Sequence, residues 1–207
     1  MNITRLFAIS IVVAIGLTIF LKSTSPTLNE NVLDTDAVVL AFGDSLTYGK
    51  GAPKQSYPTQ LQTLIQRKVI NAGVSGEVST DGLKRLPNLL IKHQPKLVII
   101  CHGGNDLIRK TSKEQLRSNL VQMIQLSKAS GAQVLLVGVP NFGLIGFSTE
   151  ELYEEIAEQE EVLYEGDMLS EVESKRALKS DRIHPNAKGY GLMAEAFAEV
   201  LRDSGLI

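Results

Sequence analysis

Apolar residues fall along this chain in two alternating patterns. Val38-Val39-Leu40-Ala41-Phe42 and Leu97-Val98-Ile99-Ile100-Cys101 are short unbroken runs, which predict strands buried on both faces. Val134-Leu135-Leu136-Val137-Gly138-Val139 is a third such run. Val69-Ile70-Asn71 predicts a shorter strand, and Val162-Leu163-Tyr164 a fifth. Between the runs, apolar positions recur at helical spacing. Tyr57 to Arg67 predicts a helix with Leu61, Leu64 and Ile65 inward and Pro58 in its first turn. Thr80 to His93 predicts another, with Leu83, Leu86, Leu90 and Ile91 inward and Pro87 as its expected break. Ser112 to Ser130 reads as a strong helix through Leu116, Leu120, Met123 and Ile124; Ser112 and Gln115 have the form of a capping box, and Gly131 ends it. Asn186 to Arg202 places Met193, Ala196, Phe197, Val200 and Leu201 on one face behind Pro185. Strands alternating with helices predict an α/β fold with a parallel sheet covered on both faces. Right-handed crossovers then bring every strand's carboxyl end to one edge.

Composition narrows the function. The 207 residues are 43% hydrophobic, enough for one sizeable core, and the formal charge of −2 offers no basic field for nucleic acid. The single cysteine, Cys101, excludes an internal disulfide and reads as a small buried hydrophobe. His93, His102 and His184 are the only histidines, and no Cys/His spacing resembles a zinc site. Neither a metal nor a cofactor is therefore expected. Glu150 to Glu161 holds seven glutamates in twelve residues, with Leu152 and Ile156 four apart. That pattern reads as a solvated helix face, with a lid over a site as the other reading.

The amino terminus follows different rules. Arg5 precedes a 16-residue apolar run, Leu6 to Leu21, which Lys22 closes. The run is long for a signal-peptide core and slightly short for a spanning helix. No small-x-small cleavage site follows it, and no cysteine is placed for a lipid anchor. Residues 1–22 are expected to be an uncleaved membrane anchor, with a cleaved signal as the alternative and a buried core helix as a third reading. Residues 23–36 read as a polar linker and 37–207 as the folded domain.

The chemistry gathers at the strand ends. The first strand stops at Gly43-Asp44-Ser45, where Gly43 allows a sharp turn and Asp44 or Ser45 can start a helix. Ser45 would then stand at the carboxyl edge of the sheet, where open α/β folds bind ligands. Gly73 follows the second strand, Asn105 the third, and Asp181 and His184 precede the last helix. Ester hydrolysis needs a nucleophile, a base and a group that orients the base. Ser45 can attack, His184 can take its proton, and Asp181 can hold the other ring nitrogen. The N–H groups of Ser45 and Gly73 and the Asn105 amide can serve as oxyanion donors. His93 sits at a helix end and receives no role. His102, with no carboxylate expected beside it, is a poor rival base. Asp44 and Asp106 read as cap and turn residues, and Tyr48 and Phe142 as apolar walls or core.

Gly43-Asp44-Ser45-Leu46, Gly73, Gly103-Gly104-Asn105-Asp106 and Asp181-Arg182-Ile183-His184-Pro185 occur in the order found in the GDSL, or SGNH, hydrolases, which this chain resembles from Ala37 to its end. It looks closest to the small bacterial branch of thioesterase/lysophospholipase and arylesterase enzymes. The resemblance implies a flavodoxin-like three-layer α/β/α sandwich around a five-stranded parallel sheet. It carries the family's serine, glycine, asparagine and histidine onto Ser45, Gly73, Asn105 and His184, with Asp181 as the histidine's partner. Arg182 departs from the pattern, since many relatives have glycine there. The implied activity is hydrolysis of small to medium acyl esters through an acyl-enzyme on Ser45, without a cofactor; the apolar amino terminus adds the expectation of a place on the exported side of a bacterial cytoplasmic membrane, anchored or secreted. A carbohydrate O-acetyl esterase and a non-catalytic anchored binding module are the alternatives. The acidic segment, if near the site, would disfavour polyanionic substrates.

Overall fold

The structure, a computed structural model, describes residues 32–141 and 148–207. The expected membrane segment, most of the linker and Phe142 lie outside the described residues. Five strands carry the fold: β1 (Val38–Gly43), β2 (Lys68–Gly73), β3 (Leu97–Cys101), β4 (Gln133–Val137) and β5 (Leu163–Glu165). The helices, in chain order, are α1 (Ser45–Tyr48), α2 (Tyr57–Ile65), α3 (Ser79–His93), α4 (Gly104–Ile108), α5 (Lys113–Ala129), α6 (Leu152–Glu160), α7 (Met168–Ser174) and α8 (Ala187–Asp203).

Every strand pair is parallel, and the order across the sheet is β2-β1-β3-β4-β5. Helix α2 packs on α8, while α3 packs on α5 and α5 on α6. The expected three-layer α/β/α sandwich is thus formed, with its core in the fully buried Leu40, Phe42, Ile99 and Ile100 at the middle of the sheet. Tyr57 and Phe197 meet edge to face at 5.1 Å, which ties α2 to α8. The strand order reverses at β1, with β2 on one side and β3 on the other. Loops leaving β1 and β3 diverge at such a point and open a crevice beyond their carboxyl ends.

Several expectations need correction. Pro87 does not break α3, which runs unbroken from Ser79 to His93. Proline removes one intrahelical bond, but buried Leu86 and Leu90 flank it and the packing of α3 on α5 holds the helix together. Ile91, expected inward, is 76% exposed, and Leu64 is 41% exposed. The buried stripes are the narrower i, i+4 pairs Leu86/Leu90 and Leu61/Ile65. Strand β4 ends at Val137 rather than Val139. Strand β2 extends to Gly73 because it pairs in register with β1, Gly73 opposite Gly43. Helix α6 buries Leu152, Tyr153, Ile156 and Ala157, so its acidic residues face outward as a solvated surface and not as a lid. Among the described residues no helix is long and apolar enough to cross a membrane.

Candidate active site

The turn after β1 leaves no room for a side chain at its first position. A Cβ on Gly43 would lie 2.1 Å from the Cys101 carbonyl oxygen and 2.3 Å from Thr47 Oγ1. Asp44 then caps α1, its Oδ1 accepting the Leu46 N–H at 3.0 Å. Its Oδ2 accepts one N–H of the Asn105 amide at 3.1 Å. Burial raises the Asp44 carboxyl, while His102, the Leu46 N–H, His184 and Asn105 pull it back down. The turn leaves Ser45, at 9% exposure, at the head of α1 on the crevice.

Asp181, Ser180 and His184 form a closed loop. An antiparallel bridge between Lys179 and Pro185 pins its ends, and the Ser180 N–H donates to the His184 carbonyl at 2.8 Å. Asp181 Oδ1 accepts the N–H groups of Ile183 and His184, each at 2.8 Å. Its two oxygens also stand 3.0 and 2.8 Å from His184 Nδ1. Burial raises the Asp181 carboxyl, but those N–H groups and the imidazole outweigh it and hold it well below the usual carboxylate range. A carboxylate at Nδ1 assigns that nitrogen the proton and leaves Nε2 free to accept. His184 Nε2 stands 3.0 Å from Ser45 Oγ. The departure at Arg182 costs nothing here, because its backbone avoids the left-handed region where glycine would be favoured.

The structure does not bring Gly73 to this site. Its N–H donates to Asn71 Oδ1 at 3.0 Å, and a Cβ there would meet the Tyr48 N at 2.0 Å. Gly73 is a glycine because α1 presses on the end of β2. Three residues on, Gly76 lines a cavity of about 280 Å³ together with Asp44, Ser45, Asn105 and His184. Gly76 takes φ +80°, and a Cβ on it would find nothing nearer than Arg109 Nη2 at 3.9 Å. No acceptor for its N–H occurs among the described residues. Asn105 does reach the cavity, with its second N–H donated to the Glu77 carbonyl at 3.0 Å. To hold an oxyanion, one of its two bonds must lengthen.

Two other residues differ from expectation. His102 does have a carboxylate: Glu77 Oε2 stands 3.1 Å from its Nε2. It is still no rival base, because it is fully buried and its Nδ1 already accepts the Gly103 N–H at 2.9 Å. Asp106 caps α3 rather than its own helix, accepting the Ser79 N–H at 2.8 Å and the Ser79 hydroxyl at 2.6 Å. No residue of the acidic segment lines the cavity, which instead includes the exposed Lys50. Gly76, Glu77, Arg85 and Lys50 escaped the sequence reading; only the position of Gly76 beyond the true end of β2 could have pointed to it.

A serine hydroxyl bonded to an imidazole, itself held by a carboxylate, at the switch point of a doubly wound sheet defines a serine hydrolase of the three-layer α/β class. The chain belongs to the GDSL-like lipase/acylhydrolase family, whose pattern matches residues 41–192, and it is a carboxylic ester hydrolase. It is 36% identical over 160 residues to the esterase TesA of Pseudomonas aeruginosa, covering 71% of this chain and 79% of that one. It is 33% identical over 172 residues to thioesterase 1/protease 1/lysophospholipase L1 of Escherichia coli, covering 79% and 83%. Its fold matches the crystal structure of TesA with a TM-score of 0.73 at 31% identity, over 80% of this chain and 98% of that one.

Proposed function

We propose that this serine esterase works through Ser45 as nucleophile, His184 as general base and acid, and Asp181 as the group that orients His184 and stabilises the imidazolium formed during the reaction. The observation that carries the reading is the continuous hydrogen-bonded path from Ser45 Oγ to His184 Nε2 at 3.0 Å and from Nδ1 to Asp181 Oδ2 at 2.8 Å. Ser45 Oγ attacks the acyl carbonyl carbon as its proton passes to Nε2. The Gly76 and Ser45 N–H groups and the Asn105 amide receive the developing oxyanion. His184 returns the proton to the departing alcohol or thiol, leaving an acyl group on Ser45. Water then attacks, its proton passing to His184 and on to the Ser45 oxygen as the acid leaves.

The substrate class we infer is a small or medium acyl ester, thioesters and lysophospholipids included. A cavity of about 280 Å³ walled by Leu46, Ile108 and Ile183 suits a short to medium acyl group. The names of the relatives, esterase and thioesterase/lysophospholipase, agree with this choice. A fluorophosphonate probe tests the nucleophile. It should label wild type at Ser45 and leave folded Ser45→Ala unlabelled; labelling elsewhere would overturn the assignment. A series of p-nitrophenyl esters of graded chain length tests the acyl class, and a preference for acetylated sugars would favour the O-acetyl esterase alternative. We further propose that residues 1–22 tether the domain to the exported face of the membrane, supported by the 16-residue apolar run between Arg5 and Lys22. The full-length chain should pellet with lipid, and recovery of only a soluble form starting near Pro26 would show a cleaved signal.

A further inference from the structure

The loop that brings Gly76 and Asn105 together is held from behind by three side chains the reaction does not touch. Arg85, on α3, grips the Glu77 carboxylate in a forked arrangement: Nε to Oε1 at 2.7 Å and Nη2 to Oε2 at 2.7 Å. The same Nη2 donates to the carbonyls of Gly43 and Ala72, at 3.1 and 2.8 Å. Those carbonyls lie at the carboxyl ends of β1 and β2, so Arg85 staples the Glu77 loop to its own strand and to β1, which leads into Ser45. Its guanidinium also lies 4.3 Å over the Phe42 ring.

His102 adds the link to β3. The Gly103 N–H donates to its Nδ1 at 2.9 Å, which fixes the proton on Nε2, facing Glu77 Oε2 at 3.1 Å. The Tyr153 hydroxyl donates to its carbonyl at 2.8 Å. Space for this imidazole comes from an unusual place. Gly82 sits inside α3, where glycine is less favourable than alanine. A Cβ on it would stand 2.4 Å from His102 Nε2 and 3.2 Å from Glu77 Oε2. The helix gives up a side chain at the spot where the imidazole meets the carboxylate. Burial raises the Glu77 carboxyl, but His102 and Arg85 outweigh it and hold it below the usual range.

The loop's other contacts face the site. The Glu77 carbonyl accepts the Asn105 amide at 3.0 Å, and the Gly76 carbonyl accepts Arg109 Nη2 at 2.8 Å. We propose that Arg85, Glu77 and His102 are positioning residues that act together through the Glu77 backbone, aiming the Asn105 amide and the Gly76 N–H at the oxyanion. The inference rests on the oxyanion roles proposed above. It also assigns His102 a part in catalysis that is geometric and not acid–base.

The test is a set of variants assayed with p-nitrophenyl butyrate, with thermal unfolding measured alongside. Asn105→Ala alone should lower kcat by about 10²–10³-fold. Glu77→Gln and His102→Leu should each lower kcat roughly tenfold with KM within about twofold, because an aimed donor matters most in the transition state. His102→Gln, which keeps an N–H near the Glu77 carboxylate, should recover kcat to within about threefold of wild type. In the Asn105→Ala background the Glu77→Gln effect should shrink to about threefold or less, since only the part carried by the Gly76 N–H is left. Phenylboronic acid, which forms a tetrahedral adduct with the serine, should bind Glu77→Gln more weakly in step with the kcat loss. Normal turnover in Asn105→Ala would remove the oxyanion assignment itself. Slow Asn105→Ala with unchanged Glu77→Gln, a change in KM alone, or full-size additive losses in the double variant would overturn this inference only. If His102→Leu does not fold, the Glu77→Gln cycle decides.

Discussion

Glu173 allows a sharp test of how this fold treats a buried charge. It lies on α7 with no exposure, and neither carboxyl oxygen accepts a hydrogen bond among the described residues. The Lys179 ammonium stands 3.7 Å from Oε2. Burial pushes the carboxyl up from 4.5 to about 7, Lys179 pulling it part of the way back and Asp181 adding to the rise. An acid whose native value is raised holds its proton more tightly when folded. Its contribution to stability is therefore full below about 4.5 and is lost as pH rises through about 7. Within that window the native state binds up to one proton more than the unfolded chain, so stability falls by up to ~1.4 kcal/mol per pH unit. Integrated from about pH 5 to about pH 8, the loss is about 2–3 kcal/mol. Glu173→Gln cannot ionise and should lack this slope. Urea unfolding of both proteins at the two pH values gives the stability of the variant relative to wild type. That relative stability should rise by about 2–3 kcal/mol from the lower to the higher pH. Taking the difference of differences cancels both the fixed cost of the substitution and the titration of groups that do not interact with residue 173. A relative stability that stays constant to within about 0.5 kcal/mol would show that Glu173 ionises as it does in the unfolded chain, and the argument from burial would fail.

Three further outcomes follow from the geometry. His184→Ala should lower kcat roughly 10³-fold or more while His102→Ala keeps turnover within about tenfold of wild type, and the reverse result in a steady-state assay would move the base to His102. Gly73→Ala should cost about 3 kcal/mol or more in denaturant unfolding, since its Cβ would meet the Tyr48 backbone at 2.0 Å. Gly76→Ala should cost only about 1–2 kcal/mol for its left-handed backbone and show its effect in kcat; equal stability of the two variants would refute this division. Lys50→Ala should reduce kcat/KM by up to about fivefold for a p-nitrophenyl ester bearing a carboxylate and leave the neutral ester unchanged, and equal loss on both esters would remove Lys50 as an anion contact.

Much of the sheet was legible because buried parallel strands advertise themselves. The run Leu97-Val98-Ile99-Ile100-Cys101 matches β3 residue for residue, since no polar face interrupts a strand covered on both sides. One cap was legible for the same local reason: Ser112 accepts the Gln115 N–H at 3.2 Å, although the Gln115 side chain turns to Asn119 Oδ1 and leaves the expected box half formed. The cap at Asn186, which accepts the N–H groups of Lys188 and Gly189 at 3.0 and 3.1 Å, was not read. Faces were harder. Ile91 is as apolar as Leu90, and only the tertiary docking of α3 on α5 decides that one is buried and the other 76% exposed. Helix α7 was missed because seven residues with two glutamates and two serines show almost no period.

Within the site, residues whose role is set by local sequence were found, and the one set by register was not. Asp181 and His184 are three apart, and the turn that joins them is built from the aspartate's own bonds to Ile183 and His184. Gly73 and Gly76 are also three apart, yet a chain position cannot say which of them ends a strand. Pairing decides it. Gly73 stands opposite Gly43, so both strands finish at one level, and the loop leaves after Val74, whose N–H makes a last bond to the Gly43 carbonyl. The first glycine of that loop is Gly76. Its surroundings come from elements far apart in the chain: Arg85 from α3, His102 from the end of β3, Arg109 from beyond α4. Each of these side chains is unremarkable where it stands in the sequence. They acquire a shared role only because β2 and β3 flank β1, which brings the Glu77 loop and the Asn105 turn into contact beside Ser45.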